Sequence, residues 1–172
     1  AINGIPHFTQ PCNAPLIDFT FGSSDGVRLQ EAIARLRDSK EPQVLPLWIN
    51  GKPITKRPLS TCSAPHNISH TLASYAQANR VDAHESIQSV SDAMREWNSI
   101  PWFMRFYVFQ KAAYLLQEKY FYDAVAAVME DYSKNPYEAM IDVVELIDFL
   151  NFNVWYAYQI YQEQPESNDL EM

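Results

Sequence analysis

The feature that most constrains this chain is an aromatic stretch near its carboxyl end, "VVELIDFLNFNVWYAYQIYQEQP", Val143 to Pro165. Upstream, Asn135, Pro136 and Glu138 supply a cap, a proline in the first turn and an acid three residues after the cap. These are the usual start signals of a helix. The sequence therefore predicts one long helix that ends close to Pro165. Its large apolar side chains need to be covered, yet only seven residues follow it.

Aromatic residues are concentrated in this half of the chain. Eighteen of the 23 Phe, Trp and Tyr residues lie between Trp97 and Tyr161. Either these rings fill the chain's own core, or part of them forms a stable interface with another protein. We favour the second alternative. The expected partner interface contains Trp102, Phe103, Phe106, Phe149, Phe152, Trp155, Tyr156, Tyr158 and Tyr161.

Charge excludes some classes of partner. The chain has 13 basic and 21 acidic residues, a net charge of −8, and no basic cluster of the kind that nucleic acid requires. Glu145, Asp148, Asn151 and Asn153 interrupt the final helix, and polar groups at that density are costly inside a bilayer. We therefore expect neither nucleic-acid binding nor a transmembrane span.

No catalytic, cofactor or metal site is recognisable from the residues. Cys12 and Cys62 lie far apart and lack metal-binding or redox spacing. His66 and His70 could share a helical face as metal ligands, but Pro65 and the polar residues around them indicate a turn. The four glycines form no phosphate-binding pattern. We expect no cofactor and no metal.

The first half of the chain, residues 1–80, reads as an extended region with one helix. Ser24 is the expected cap of an amphipathic helix that lies on the outside of the domain. Asn50 and Gly51 separate two short apolar runs, which predicts a type I′ hairpin turn. A further strand is expected in "HTLASYAQA".

The second half, residues 81–165, reads as consecutive helices. Asp82 and Glu85 predict a capping box, Pro101 the first turn of the next helix, and Phe121 to Tyr132 a shorter one. Residues 166–172 form an acidic tail. The expected fold is α+β, one domain over residues 1–165, with a predominantly helical second half and a small antiparallel hairpin region.

Several segments together resemble a known family. "LPLWINGKPI", "SAPHNISHTLASYAQA", "YSKNPYEAMID" and "ELIDFLNFNVWYAYQIYQEQP" occur in the order found in the amino-terminal portion of 1-pyrroline-5-carboxylate dehydrogenases, in the aldehyde dehydrogenase superfamily. The most specific match is "ELIDF", Glu145 to Phe149. The resemblance implies a truncated homologue with the leading portion of that fold and without a complete Rossmann sheet. It also implies that the family's nicotinamide-binding turn, general base and nucleophile all fall later than this segment.

Departures from the family pattern, at Glu138, Met140 and Asn151, suggest relaxed enzymatic constraint. Our first expectation is therefore a non-catalytic accessory subunit of a larger mitochondrial assembly, peripheral to an inner-membrane complex of the respiratory chain, with cytochrome c oxidase as the first guess. The start at Ala1, without a leader, fits a processed mitochondrial protein. The alternatives are a regulatory fragment that associates with a full-length dehydrogenase and a residual ligand-binding domain.

Overall fold

The structure is a computed structural model that describes residues 6–38, 43–163 and 165. Five helices and five strands are present in these residues, so the fold is α+β. In chain order the elements are α1 (Ser24–Arg37), β1 (Gln43–Leu45), β2 (Leu47–Ile49), β3 (Lys52–Ile54), β4 (Leu59–Ala64), β5 (Asn67–Ala76), α2 (Arg80–Ser99), α3 (Trp102–Glu118), α4 (Phe121–Tyr132) and α5 (Pro136–Gln162). The acidic tail lies outside the described residues.

The strands form two small sheets rather than a complete Rossmann sheet in the described part of the chain. β2 and β3 are an antiparallel pair joined by Asn50 and Gly51, whose φ angles of 51° and 67° confirm the predicted turn. The strand predicted in "HTLASYAQA" is β5, and it pairs antiparallel with β4. β5 also pairs in parallel with β1, Leu45 opposite Tyr75, in addition to the antiparallel pairs.

Helix starts follow the sequence signals with three corrections. Pro101 is the N-terminal cap of α3 and precedes its first turn rather than lying in it. Asn135 caps α5, and its side chain accepts from the main-chain N–H of Glu138, as predicted. The cap of α1 is Ser23 rather than Ser24. The capping box of α2 is formed by Asn79 and Asp82, not by Asp82 and Glu85, because the helix begins three residues earlier than expected. α4 has the predicted bounds.

The main core lies between α1, α4 and α5. Leu29 and Ala32 of α1 face Val125 and Ala126 of α4, and Ile147 of α5 is fully buried beneath them. α1 is amphipathic, as predicted, and its apolar face belongs to this core.

An extended arm before α1 covers part of α5. Phe8, 6% exposed, packs among the rings of α3 and α5. Further along the arm, the main-chain N–H of Ala14 donates to Asp148 at 2.7 Å, and the N–H of Ile17 lies 3.1 Å from the sulfur of Met140. The beginning of the chain therefore supplies part of the cover that the aromatic helix requires.

Candidate partner-binding site

An apolar groove runs between α3 and α5 on the side of α5 that the arm leaves open. Its cavity measures about 290 Å³. Phe149 is 56% exposed, Leu146 51% and Phe109 45%. Such exposure is unusual for adjacent large apolar side chains on a protein surface. We call this surface the α3–α5 groove, and its lining residues are Phe106, Phe109, Leu146, Phe149, Leu150, Asn153, Val154 and Ala157.

Beside the groove lies a cluster of packed rings that holds α3, α5 and the arm together. Trp102 stacks on Tyr161 with ring centroids 5.2 Å apart, and Phe8 meets Phe106 edge-on at 5.4 Å. Phe106 and Tyr158 are 8% and 5% exposed. The rings of these two predicted interface residues are therefore largely enclosed by the chain itself.

The other predicted interface residues remain accessible to different degrees. Phe149, Tyr156 and Tyr161 are exposed, whereas Trp102, Phe103, Phe152 and Trp155 are half-buried. Tyr156 lies next to Trp155 and Phe152, with centroid distances of 5.1 and 6.3 Å. Two of the nine predicted interface residues, Phe106 and Phe149, line the α3–α5 groove. The partner interface itself stays a prediction.

A second apolar face, on α2, was not used in the sequence interpretation. Ile87, Val90, Met94 and Trp97 recur at helical spacing and are 65%, 71%, 59% and 39% exposed. Only Asp82 of this 20-residue helix is buried. The i, i+3, i+7 pattern is visible in the sequence, but the pattern alone does not tell which apolar helix face lacks a partner.

The thiol of Cys62 is half-buried and hydrogen-bonded. The thiol of Cys62 donates to Asp131 at 2.8 Å. That hydrogen bond, together with burial and the charge of Asp131, raises the pKa of Cys62 and keeps it in the less reactive thiol form. Cys12 is exposed and, like Cys62, is not in a disulfide.

His66 and His70 do not share a helical face. His66 is in the turn between β4 and β5, as the sequence indicated, and His70 is on β5. Among residues 6–38, 43–163 and 165, no three His, Cys, Asp or Glu side chains are arranged to hold a metal ion.

Two carboxylates of α5 contact other parts of the chain. Asp148 binds the side chain of Asn13 and the main chain of Ala14, both at 2.7 Å, and Asp142 pairs with Lys134.

Over the described part of the chain, none of the helices is long and apolar enough to cross a membrane.

Sequence comparison gives one family. The model of the aldehyde dehydrogenase family matches residues 54–171. The mitochondrial delta-1-pyrroline-5-carboxylate dehydrogenase of Emericella nidulans is 39% identical over 155 residues, which cover 89% of this chain and 27% of that enzyme. The Dictyostelium discoideum enzyme of the same name is 35% identical over 92% of this chain and 28% of its own length.

Solved structures agree with the sequence matches. A delta-pyrroline-5-carboxylate dehydrogenase from Mycobacterium tuberculosis, bound with NAD and cobalamin, matches with a TM-score of 0.90 and 32% identity, covering 98% of this chain and 32% of that one. A Thermus enzyme with bound NAD has the same fold, with a TM-score of 0.83 at 23% identity. The chain therefore spans less than a third of the length of these relatives.

These matches correct the expected function. A subunit of a respiratory-chain complex, with cytochrome c oxidase as first guess, is the wrong expectation, because the relatives are pyrroline-5-carboxylate dehydrogenases. The association with an inner-membrane complex lacks support for the same reason. The family resemblance itself is confirmed.

Proposed function

Since this chain belongs to the aldehyde dehydrogenase family, we propose that it acts as a dehydrogenase fragment, which associates with a dehydrogenase polypeptide of the pyrroline-5-carboxylate dehydrogenase type. The α3–α5 groove is the docking surface. In this association the chain supplies the amino-terminal part of the fold and contributes no catalytic residue of its own. The partner polypeptide provides the NAD site and the reacting groups.

The observation that carries this proposal is the exposed apolar groove beside a helix that is otherwise well packed. Phe149, Leu146 and Phe109 together form an exposed apolar patch of the kind that usually marks an interaction site. The cover should be apolar and large, because small polar ligands gain little from such a wall. More than two thirds of each matched relative lies outside the aligned part, so a dehydrogenase polypeptide has ample chain to provide it.

The second apolar face, on α2, supports the same proposal. A helix of 20 residues with a single buried side chain gains little stability from packing on its own chain. Nevertheless, the fold agrees with the Mycobacterium tuberculosis enzyme over 98% of the chain. We infer that Ile87, Val90 and Met94 are covered in the complex.

The mitochondrial relatives support a proposal for the place of action. The matched enzymes of Dictyostelium discoideum, Emericella nidulans and Bos taurus are mitochondrial. We propose the same compartment for this chain, because it would meet a dehydrogenase of this type there. The reaction of the complex would be the NAD-dependent oxidation that such an enzyme catalyses.

The test uses the Emericella nidulans enzyme in two forms, full length and without the segment that aligns with this chain. Each form is co-expressed with the tagged chain and purified through the tag. We expect a stable complex with at least one form, and NAD reduction in the presence of pyrroline-5-carboxylate that depends on, or changes with, the chain.

The two forms distinguish two modes of action. A complex with the shortened enzyme that restores NAD reduction means that the chain completes the fold. A complex with the full-length enzyme that alters its rate means that the chain acts as a regulatory fragment. Absence of a complex with both forms, while the tagged chain remains folded by circular dichroism, contradicts the proposal.

A further inference from the structure

A polar cavity lies apart from the α3–α5 groove, between the end of α1, the β4–β5 turn and α4. Its volume is about 390 Å³. All five lining residues are polar or charged: Arg37, His66, Asn67, His70 and Glu130. The dehydrogenase function proposed above makes no use of these residues.

Glu130 forms the floor of the cavity and is only half satisfied. Its side chain is 2% exposed. The oxygen Oε1 accepts from Nε and Nη2 of Arg37 at 2.9 and 2.7 Å. The oxygen Oε2 accepts no hydrogen bond from the described residues, and Nε2 of His66 lies 3.5 Å away. A buried carboxylate oxygen without a donor is destabilising, so a donor is expected to reach it.

His70, which also lines the cavity, likewise has a buried polar atom without a hydrogen-bond partner in the described part of the chain. Its ring nitrogen Nε2 is buried and has no hydrogen-bond partner among the described residues. In one of the two neutral tautomers this nitrogen is an acceptor. Oε2 of Glu130 and Nε2 of His70 are therefore two buried acceptors on residues that line the cavity, and each becomes accessible only when the side chains over it move.

We propose that this cavity binds a small molecule that carries a primary ammonium group. Such a group has three N–H donors on one atom, enough for Glu130 and His70 together. An anion would meet the buried carboxylate, whereas the positive charge of Arg37, which also lines the cavity, is already paired with Oε1 of Glu130. A metal ion is a poorer fit, because Arg37 already occupies Oε1 and no three ligating side chains converge in the described residues.

Entry of the ligand requires a movement of His66. Its side chain is 41% exposed and lies over Oε2, held by a 2.8 Å contact between Nδ1 and the hydroxyl of Ser133. Rotation of this ring toward solvent opens the carboxylate without disturbing the core, because the ring sits in a turn. The ammonium group then takes the position beside Oε2.

The test is a nuclear magnetic resonance titration of the full chain with ethylammonium chloride, matched by tetramethylammonium chloride. Both probes carry one positive charge, but only the first has N–H donors. We expect ethylammonium to give saturable shifts at the amides of Asn67, His70 and Glu130, with a Kd of about 1–10 mM, the range open to a ligand of three heavy atoms. Tetramethylammonium should give none.

A variant pair assigns the effect to the carboxylate. Glu130→Gln keeps the shape of the side chain and removes its charge, so the affinity for ethylammonium should fall at least about tenfold. Glu96→Gln, an exposed site on α2, should leave it unchanged. If Glu130→Gln does not fold, the comparison of the two probes on the unaltered chain decides alone. Equal shifts with both probes, or no saturable shift at these amides, overturn the proposal.

Discussion

Ala14 and Asp148 are joined by a hydrogen bond of 2.7 Å across 134 residues of sequence. The donor is a main-chain N–H of the extended arm, and the acceptor is a carboxylate on the outer side of α5. The same carboxylate accepts from the side chain of Asn13 at 2.7 Å. This pair of bonds fixes the arm at Asn13 and Ala14 against α5.

Loss of this carboxylate should loosen the arm. Hydrogen bonds to a charged group contribute about 1.5–3 kcal/mol each at most, and here they are partly exposed. We expect Asp148→Ala to lower the free energy of unfolding by about 1–3 kcal/mol, measured by urea denaturation. Glu145→Ala, an exposed site one turn earlier, should change it by less than about 0.5 kcal/mol. Equal effects of the two substitutions would show that the arm contributes no stability through Asp148.

Phe8 should be the main apolar anchor of the arm. It is 6% exposed and packs against Phe106 and Tyr158 with centroid distances of 5.4 and 5.6 Å. Truncation of a buried Phe typically costs about 3–5 kcal/mol, so Phe8→Ala should be strongly destabilising. Phe21→Ala serves as control, because Phe21 is 88% exposed and should tolerate the change. Similar thermal unfolding temperatures for both variants would refute the packing of the arm.

Acid should weaken the link between Arg57 and α2. Three hydrogen bonds, of 2.6 to 3.1 Å, join the Arg57 guanidinium to the Asp82 carboxylate, which is 1% exposed. These bonds, and then that from the N–H of Asn79, lower the pKa of Asp82 below its usual value. Because the folded pKa is depressed, the stabilisation is complete above the unfolded pKa of about 3.9 and is lost as the pH falls through the lower, folded value.

Asp82→Asn should therefore flatten the acid branch of the stability curve. We expect the free energy of unfolding of the unaltered chain to fall more steeply below about pH 4 than that of the variant. Asp92→Asn, at an exposed site further along α2, should keep the steep branch. The measurement is urea denaturation at a series of pH values, and parallel curves for the unaltered chain and Asp82→Asn would contradict this assignment.

Local signals in the sequence predicted the elements whose shape is set by nearby residues. The turn at Asn50 and Gly51 requires positive φ at both positions. Asn and Gly are the residue types that adopt positive φ most readily, so the pair predicts the turn. The start of α5 at Asn135 and Pro136 is equally local. These features depend on a few neighbouring residues, so a single sequence suffices.

Long-range features could not be derived in this way. The arm reaches α5 through Phe8 and Ala14, residues whose neighbours give no periodicity that points to a partner. Asp82 was read as a cap, but its burial depends on Arg57, which is 25 residues earlier. The excess of aromatic residues predicted a partner interface but not the groove, because burial of Phe106 and exposure of Phe149 differ by packing and not by residue type.

The most direct test of the account is the affinity of the chain for the dehydrogenase polypeptide after one change in the α3–α5 groove. Phe149→Glu places a charge at a ring that is already 56% exposed, so the fold should survive. Ile68→Glu makes the matched change on β5, at a side chain 83% exposed and remote from the groove in sequence. The partner is the form of the Emericella nidulans enzyme that binds the unaltered chain. We expect the Phe149 variant to bind it at least about thirtyfold more weakly, a loss of ~2 kcal/mol of binding free energy. The Ile68 variant should bind like the unaltered chain. Unchanged binding by a folded Phe149 variant would contradict docking through this groove.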